Sequence, residues 1–206
     1  MKKQTVIGAT AIGMIALSAF TGLHTETYKA DTRASSLEWT AEKVGGKHNG
    51  IILLSSGELN DEHGKLSGTF VIDMASLATK DMQGEYATKL EGHLKSADFF
   101  DVGQFPTAKF VTTSITPLPT VKEGGYTHTV KGNLTIKGKT NEISFDAVIK
   151  KGGDRIVCVG TAVVDRSKYD VKYGSKSFFP EIGDKMINDE FTLKFNVVAA
   201  KNSVNE

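Results

Sequence analysis

From residue 37 onward the chain alternates apolar and polar side chains with a period of two. Leu37, Trp39 and Ala41 share one face of an extended segment and Glu38, Thr40 and Glu42 the other, the pattern of a strand with one face against a core. Leu66, Gly68, Phe70, Ile72 and Met74 repeat it against Ser67, Thr69 and Asp73. So do Val130, Leu134 and Ile136, then Ile143, Phe145, Ala147 and Ile149, and last Phe191, Leu193, Phe195 and Val197. Residues 48–59 carry Ile51, Ile52, Leu53 and Leu54, a run too short and too β-branched for a membrane helix, which reads as a buried strand. Further strands are expected over 108–116, where Pro117 and Pro119 forbid continuation, and over 156–164. Gly45-Gly46, residues 60–64, Lys137-Gly138-Lys139 and Gly152-Gly153-Asp154 supply the turns between them.

One stretch breaks the alternation. Within residues 81–104, Tyr86, Leu90 and Leu94 recur every fourth residue and so share one helical face. Ser96 and Asp98 then favour bonds from side chain to backbone, and Gly103 and Pro106 end any regular structure. Phe99, Phe100 and Phe105 fall in this segment, and aromatic rings on a loop need an apolar surface to cover. The mouth or wall of a barrel offers one. About eight strands joined mostly by short turns, with one short helical insertion, read as an all-β antiparallel barrel or sandwich. An eight-stranded barrel has an interior that side chains fill or that holds one ligand, and periodicity does not choose between these.

His93-Leu94-Lys95-Ser96-Ala97-Asp98-Phe99-Phe100-Asp101, with Phe105-Pro106-Thr107-Ala108 and Phe110 after it, resembles the signature of the YceI-like family of bacterial polyisoprenoid-binding proteins. Gly132-Asn133-Leu134-Thr135-Ile136-Lys137-Gly138, and Asp165-Arg166-Ser167 with Tyr173-Gly174, are similar to later stretches of that family. The resemblance covers residues 36–199. It implies a lipocalin-like β-barrel over 36–200 that holds a long apolar chain.

Composition narrows the alternatives. The 25 basic and 24 acidic residues leave no electrostatic footprint for nucleic acid or anionic membrane. A single cysteine, Cys158, excludes an internal disulfide, and its apolar strand-like surroundings read as burial. Lys2 and Lys3 precede the uncharged residues 6–20, the layout of a secretory signal peptide over 1–21. Cleavage is expected near residues 18–22, with an uncleaved N-terminal membrane anchor as the alternative. The protein is therefore expected to be exported, periplasmic or extracellular. Residues 22–35 are polar and aperiodic and read as a linker, and 201–206 as a tail.

Catalytic chemistry finds little support. His24, His48, His63, His93 and His128 form no pair at metal-ligand spacing on one element. No Gly-x-Ser-x-Gly elbow and no phosphate-binding glycine loop occurs. Asp184, Asp189 and Glu190 match no standard calcium loop and read as a solvated turn. Asp165-Arg166 reads as an ion pair that pins the loop over 165–189, a connection of about 24 residues and long enough to suggest function.

The leading expectation is a non-enzymatic binding protein, without metal or cofactor, for a polyisoprenoid, an isoprenoid quinone or a fatty acid or amide. Trp39, Phe70, Phe99, Phe100, Phe110, Leu134, Phe145, Phe191 and Phe195 would form the apolar walls around the lipid, and at least one of Phe99 and Phe100 would line the cavity or its mouth. An enzyme in the same barrel would need Asp73, Asp146 or His128 facing inward. A closed structural module would have a packed interior. The oligomeric state is left open, a homodimer among the options.

Overall fold

A computed structural model describes residues 25–201. The expected signal peptide and the end of the tail lie outside these residues. Nine strands and one α-helix follow in order: β1 (Thr25–Ala30), β2 (Ser36–Lys43), β3 (Gly46–Glu62), β4 (Lys65–Thr79), α1 (Gly84–Lys95), β5 (Thr107–Pro117), β6 (His128–Ile136), β7 (Lys139–Gly152), β8 (Arg155–Asp165) and β9 (Ile187–Lys201). Each strand pairs antiparallel with its sequence neighbour from β2 to β9, and β9 closes the ring on β2. Closure removes the free edges of the sheet.

The ninth strand adds no ninth place to the wall. β1 pairs with β3 and β9, the same two neighbours that flank β2. The two therefore form one interrupted strand in an eight-place barrel. The break at 31–35 is held by Asp31, whose carboxylate accepts from the Arg33 and Ala34 N–H groups. This corrects the reading of 22–35 as a linker: Thr25–Ala30 is part of the wall. Tyr28 is the cause. Its ring is 1 % exposed, and its hydroxyl donates to Glu26 at 2.8 Å.

Turn chemistry sets the hairpins. His63-Gly64 and Lys137-Gly138 both have two consecutive positive φ angles, the two-residue turn whose twist matches that of paired strands. The first is narrower than the expected 60–64, because β3 stays extended through Glu62. The expected wholly buried run in β3 is also one-sided: Ile52 and Leu54 are buried, whereas Leu53 is 51 % exposed.

The helix covers a gap in the wall. β5 pairs with β4 only over Thr69–Asp73, so residues 74–79 of β4 continue beyond its partner. α1 packs on β4 there, and the Met74 N–H donates to the Pro106 carbonyl. The helix is half of the expected 81–104 segment. Residues 96–105 form stacked turns instead, with Phe99 and Asp101 N–H groups on the Ser96 carbonyl and Phe105 N–H on that of Asp101. The phase differs too: Tyr86 is 72 % exposed, and Ala87, Leu90 and Leu94 form the inward stripe at i, i+3 and i+7.

Candidate ligand-binding lumen

The inward faces of the strands leave two apolar chambers stacked in the barrel. The outer one is lined by Trp39, Met74, Leu77, Leu94, Phe99, Phe100, Ile136 and Phe191, among others, with about 800 Å³ between atoms, part of it continuous with solvent. The inner one, of about 780 Å³ on the same measure, is lined by Leu54, Phe70, Phe110, Phe145, Cys158 and Phe195 among others. Ile72, Leu134, Val164 and Leu193 line both and form the waist between them. As enclosed cavities the two are narrow, about 100 and 90 Å³.

All nine residues expected to build the wall line one chamber or both. Trp39, Phe99, Phe100 and Phe191 face the outer one, Phe70, Phe110, Phe145 and Phe195 the inner one, and Leu134 the waist. Both Phe99 and Phe100 are buried, 5 % and 9 % exposed. Their rings meet edge to face at 5.0 Å, where the helix-to-loop segment caps the outer chamber. Deeper in, Phe110, Phe145 and Phe195 form a chain of rings at 5.7 and 5.3 Å, a spacing that aromatic pairs favour.

Two strand glycines make room for this chain. A Cβ on Gly132 would stand 2.5 Å from Phe110 Cζ, and one on Gly160 would stand 2.7 Å from Phe195 Cζ. The rings therefore lie across bare backbone of the adjacent strand. The far end of the barrel is closed by Tyr28, Leu59, Ile156 and Ala199, all at most 1 % exposed. Around it Lys151 bridges Glu26 and Asp61 at 2.7 and 2.6 Å, and Lys201 reaches Glu26 at 2.8 Å. These hydrogen bonds, that of Lys151 first, hold Glu26 down to about 2.

Polar groups on the lining are few: Arg166 and Asn188 on the outer chamber and Thr112 on the inner. The Thr112 hydroxyl already accepts from the Gly68 N–H at 2.7 Å. Arg166 is 2 % exposed. Its Nε donates to the Asn188 carbonyl, Nη1 to those of Val171 and Tyr173, and Nη2 to that of Ile187, all at 2.8–3.1 Å. Its ionic partner is Asp189 at 3.5 Å. The expected pair with Asp165 is not made: that carboxylate turns to the N–H and hydroxyl of Ser167 at 3.0 and 2.6 Å. The long loop is pinned by Arg166, but through backbone carbonyls, which a pattern of charges does not reveal. Burial pulls the guanidinium pKa down, and the charges of Asp189 and Asp165 push it back up.

No carboxylate or imidazole lines either chamber. Asp146 is exposed and accepts from the Thr129 hydroxyl, and Asp73 accepts from the Ala75 N–H. His128 is half-buried, and burial lowers its pKa. Cys158 is buried as expected, and burial pushes its thiol up to about 12. Among the described residues no three His, Cys, Asp or Glu side chains converge on a metal position.

The three sequence stretches that carry the family resemblance meet at Phe99. Lys137 Nζ donates to the Phe99 carbonyl at 3.0 Å, and the Arg166 guanidinium lies over the Phe99 ring. Tyr173 meets His93 edge to face at 4.4 Å, and His93 meets Phe99 at 5.8 Å.

Comparison with known proteins agrees with the fold. A UPF0312 protein of Staphylococcus aureus is 32 % identical over 155 residues, 69 % of this chain and 81 % of the relative. The crystal structure of Burkholderia cenocepacia BcnA superposes with a TM-score of 0.66 at 23 % identity, covering 83 % of this chain and 99 % of the other. A domain from Saccharophagus degradans described as polyisoprenoid-binding and implicated in plant cell wall breakdown superposes at 0.59 with 12 % identity, covering 84 % and 98 %. The description of the family whose model matches residues 28–199 is YceI-like domain, and the chain belongs to that family.

Proposed function

We propose that this protein binds one long lipophilic molecule lengthwise in its barrel, without altering it chemically, and carries or sequesters it outside the cytoplasm. The ligand is a polyisoprenoid, an isoprenoid quinone, or a fatty acid or amide. The observation that carries the reading is the pair of apolar chambers in series, joined at a waist of Ile72, Leu134, Val164 and Leu193. A packed interior would suit a closed structural module, and a lumen enzyme would need an acid or base where this lining has none. The polyisoprenoid-binding description of the Saccharophagus degradans domain is in keeping with it. Export follows from Lys2, Lys3 and the uncharged residues 6–20; recovery of intact Met1 in a cytoplasmic fraction would count against it.

The energetics suffice. At ~0.3 kcal/mol per heavy atom, a chain of roughly 40 carbons reaches about −12 kcal/mol, a nanomolar dissociation constant. The lining discriminates poorly between chains, since one methylene is worth only about 1–3 kcal/mol. Length is what two chambers in series select. Titration with fluorescent isoprenoids of increasing length should show affinity rising until both chambers are filled. Affinity independent of length, or no binding at all, would overturn the reading.

A further inference from the structure

We propose that the rim of the outer chamber docks on an anionic lipid bilayer, a step that rests on the lipid-binding reading for its purpose but not for its geometry. The rim consists of the β2–β3 turn, residues 43–47, and the loop over 172–186. The two are joined: the Val44 N–H donates to the Met186 carbonyl at 3.0 Å, and Lys43 pairs with Ile187 at the start of β9. They adjoin the lumen, since Ala41, Arg166 and Ile187 line the outer chamber.

This rim exposes large apolar side chains. Val44 is 44 % exposed, Tyr173 49 %, Phe178 38 % and Phe179 51 %. Tyr173, Phe179 and Ile182 also line a shallow cleft with Lys172 and Lys185. Apolar patches of this kind on a polar surface mark places where something binds. The charge around them selects the occupant. The whole chain balances 25 basic residues against 24 acidic, yet residues 43–47 and 172–186 hold five lysines, Lys43, Lys47, Lys172, Lys176 and Lys185, against Glu181 and Asp184.

Lys172 is taken up by Asp170 at 3.0 Å and lies 5.3 Å from the Phe178 ring centroid. Among the described residues, the other four lysines have no carboxylate within 4.0 Å. Asp98 is the acidic group that faces the cleft. Aromatic tips ringed by lysine stems suit the boundary between acyl chains and anionic headgroups, where each lysine strengthens attachment roughly fivefold. A barrel seated on this rim would present its outer chamber to the bilayer, the phase from which a water-insoluble ligand comes.

The test is flotation of the full-length mature protein with vesicles of phosphatidylcholine alone and of phosphatidylcholine mixed with phosphatidylglycerol. The expected result is flotation with the anionic vesicles only, weakened by salt. Phe178→Ser with Phe179→Ser should reduce it by roughly tenfold or more, and Lys47→Gln with Lys176→Gln and Lys185→Gln by about a hundredfold. None of these side chains lines either chamber, so the variants should keep the parent's melting temperature and its affinity for a soluble isoprenoid probe. Absence of flotation, equal flotation with both vesicles, or flotation unchanged in the folded variants would overturn the proposal. So would a dimer that Phe179→Ser dissolves in a protein that does not float, which would assign the face to a second copy. Flotation that follows the expected pattern while the probe fails to bind would support docking and sink the lumen reading instead.

Discussion

The guanidinium carbon of Arg166 lies 5.3 Å from the centroid of the Phe99 ring. One cation thus backs the ring that caps the outer chamber, while its own donors tie together the 165–173 turn and the start of β9. Loss of Arg166 would leave several carbonyls without their donor, and Asp189 without its cation, in a buried place. Arg166→Met is expected to cost ~3–5 kcal/mol in urea unfolding, the scale of breaking a buried pair by removing one partner. Arg166→Lys should recover little, because an ammonium cannot reproduce the planar fork of donors. A loss below about 1 kcal/mol would show that the cluster does not hold the cap.

Phe99 and Phe145 should separate stability from binding. Phe99 is packed by Arg166, His93 and Phe100, so Phe99→Ala should cost ~3–5 kcal/mol of stability. Phe145 is half-buried between Phe110 and Phe195 in the inner chamber. Its truncation should cost less stability and weaken binding of an isoprenoid probe by about 1–3 kcal/mol. Equal stability losses with unchanged binding in both would mark Phe145 as plain core.

The Gly160→Ala substitution tests the bare backbone beneath the ring chain. Its new methyl group would meet Phe195 Cζ at 2.7 Å and the Asp146 carbonyl at 3.0 Å, and the ring can yield only into the inner chamber. The expected loss is ~1–3 kcal/mol of stability, the usual cost of overpacking, together with weaker binding. Thermal unfolding and probe titration of the same sample read both.

Much of this wall was legible because a barrel makes one rule do two jobs. The inward positions of alternating strands, Phe70, Phe110, Leu134, Phe145, Phe191 and Phe195, are also the lumen. The misses are residues whose role is set by distant partners. Tyr28 is the single large apolar residue in Thr25–Ala30, and its strand exists because β3 and β9 extend past the end of β2. Arg166 pairs with Asp189 and the carbonyls of a loop, none of them adjacent in sequence. The helix phase is ambiguous in sequence because Tyr86 and Ala87 fit the same spacing to Leu90 and Leu94 within one residue, and only packing on β4 chooses between them.

Acid should loosen the closed end first. Glu26 falls from the ordinary 4.5 to about 2, and Asp61 is lowered by the same Lys151. A carboxylate held low in the folded state contributes stability above its unfolded pKa and loses it as pH falls through the folded one. The stability advantage of the parent over Lys151→Met should therefore be full near neutrality and shrink as pH falls from about 4.5 toward 2. A constant difference across that window, measured by urea unfolding, would show that the cluster contributes nothing through these charges.

The most direct measurement of the central claim is mass spectrometry of the organic extract from protein purified natively, without detergent, from its own cells. A lipid-filled lumen should yield a long-chain lipophilic species, near one per barrel, which native mass spectrometry also finds as an adduct on the folded protein. A fluorescent isoprenoid long enough to span both chambers should displace that species. Folded protein that yields no such lipid, and whose extracted form then fails to take up the isoprenoid, would contradict the claim.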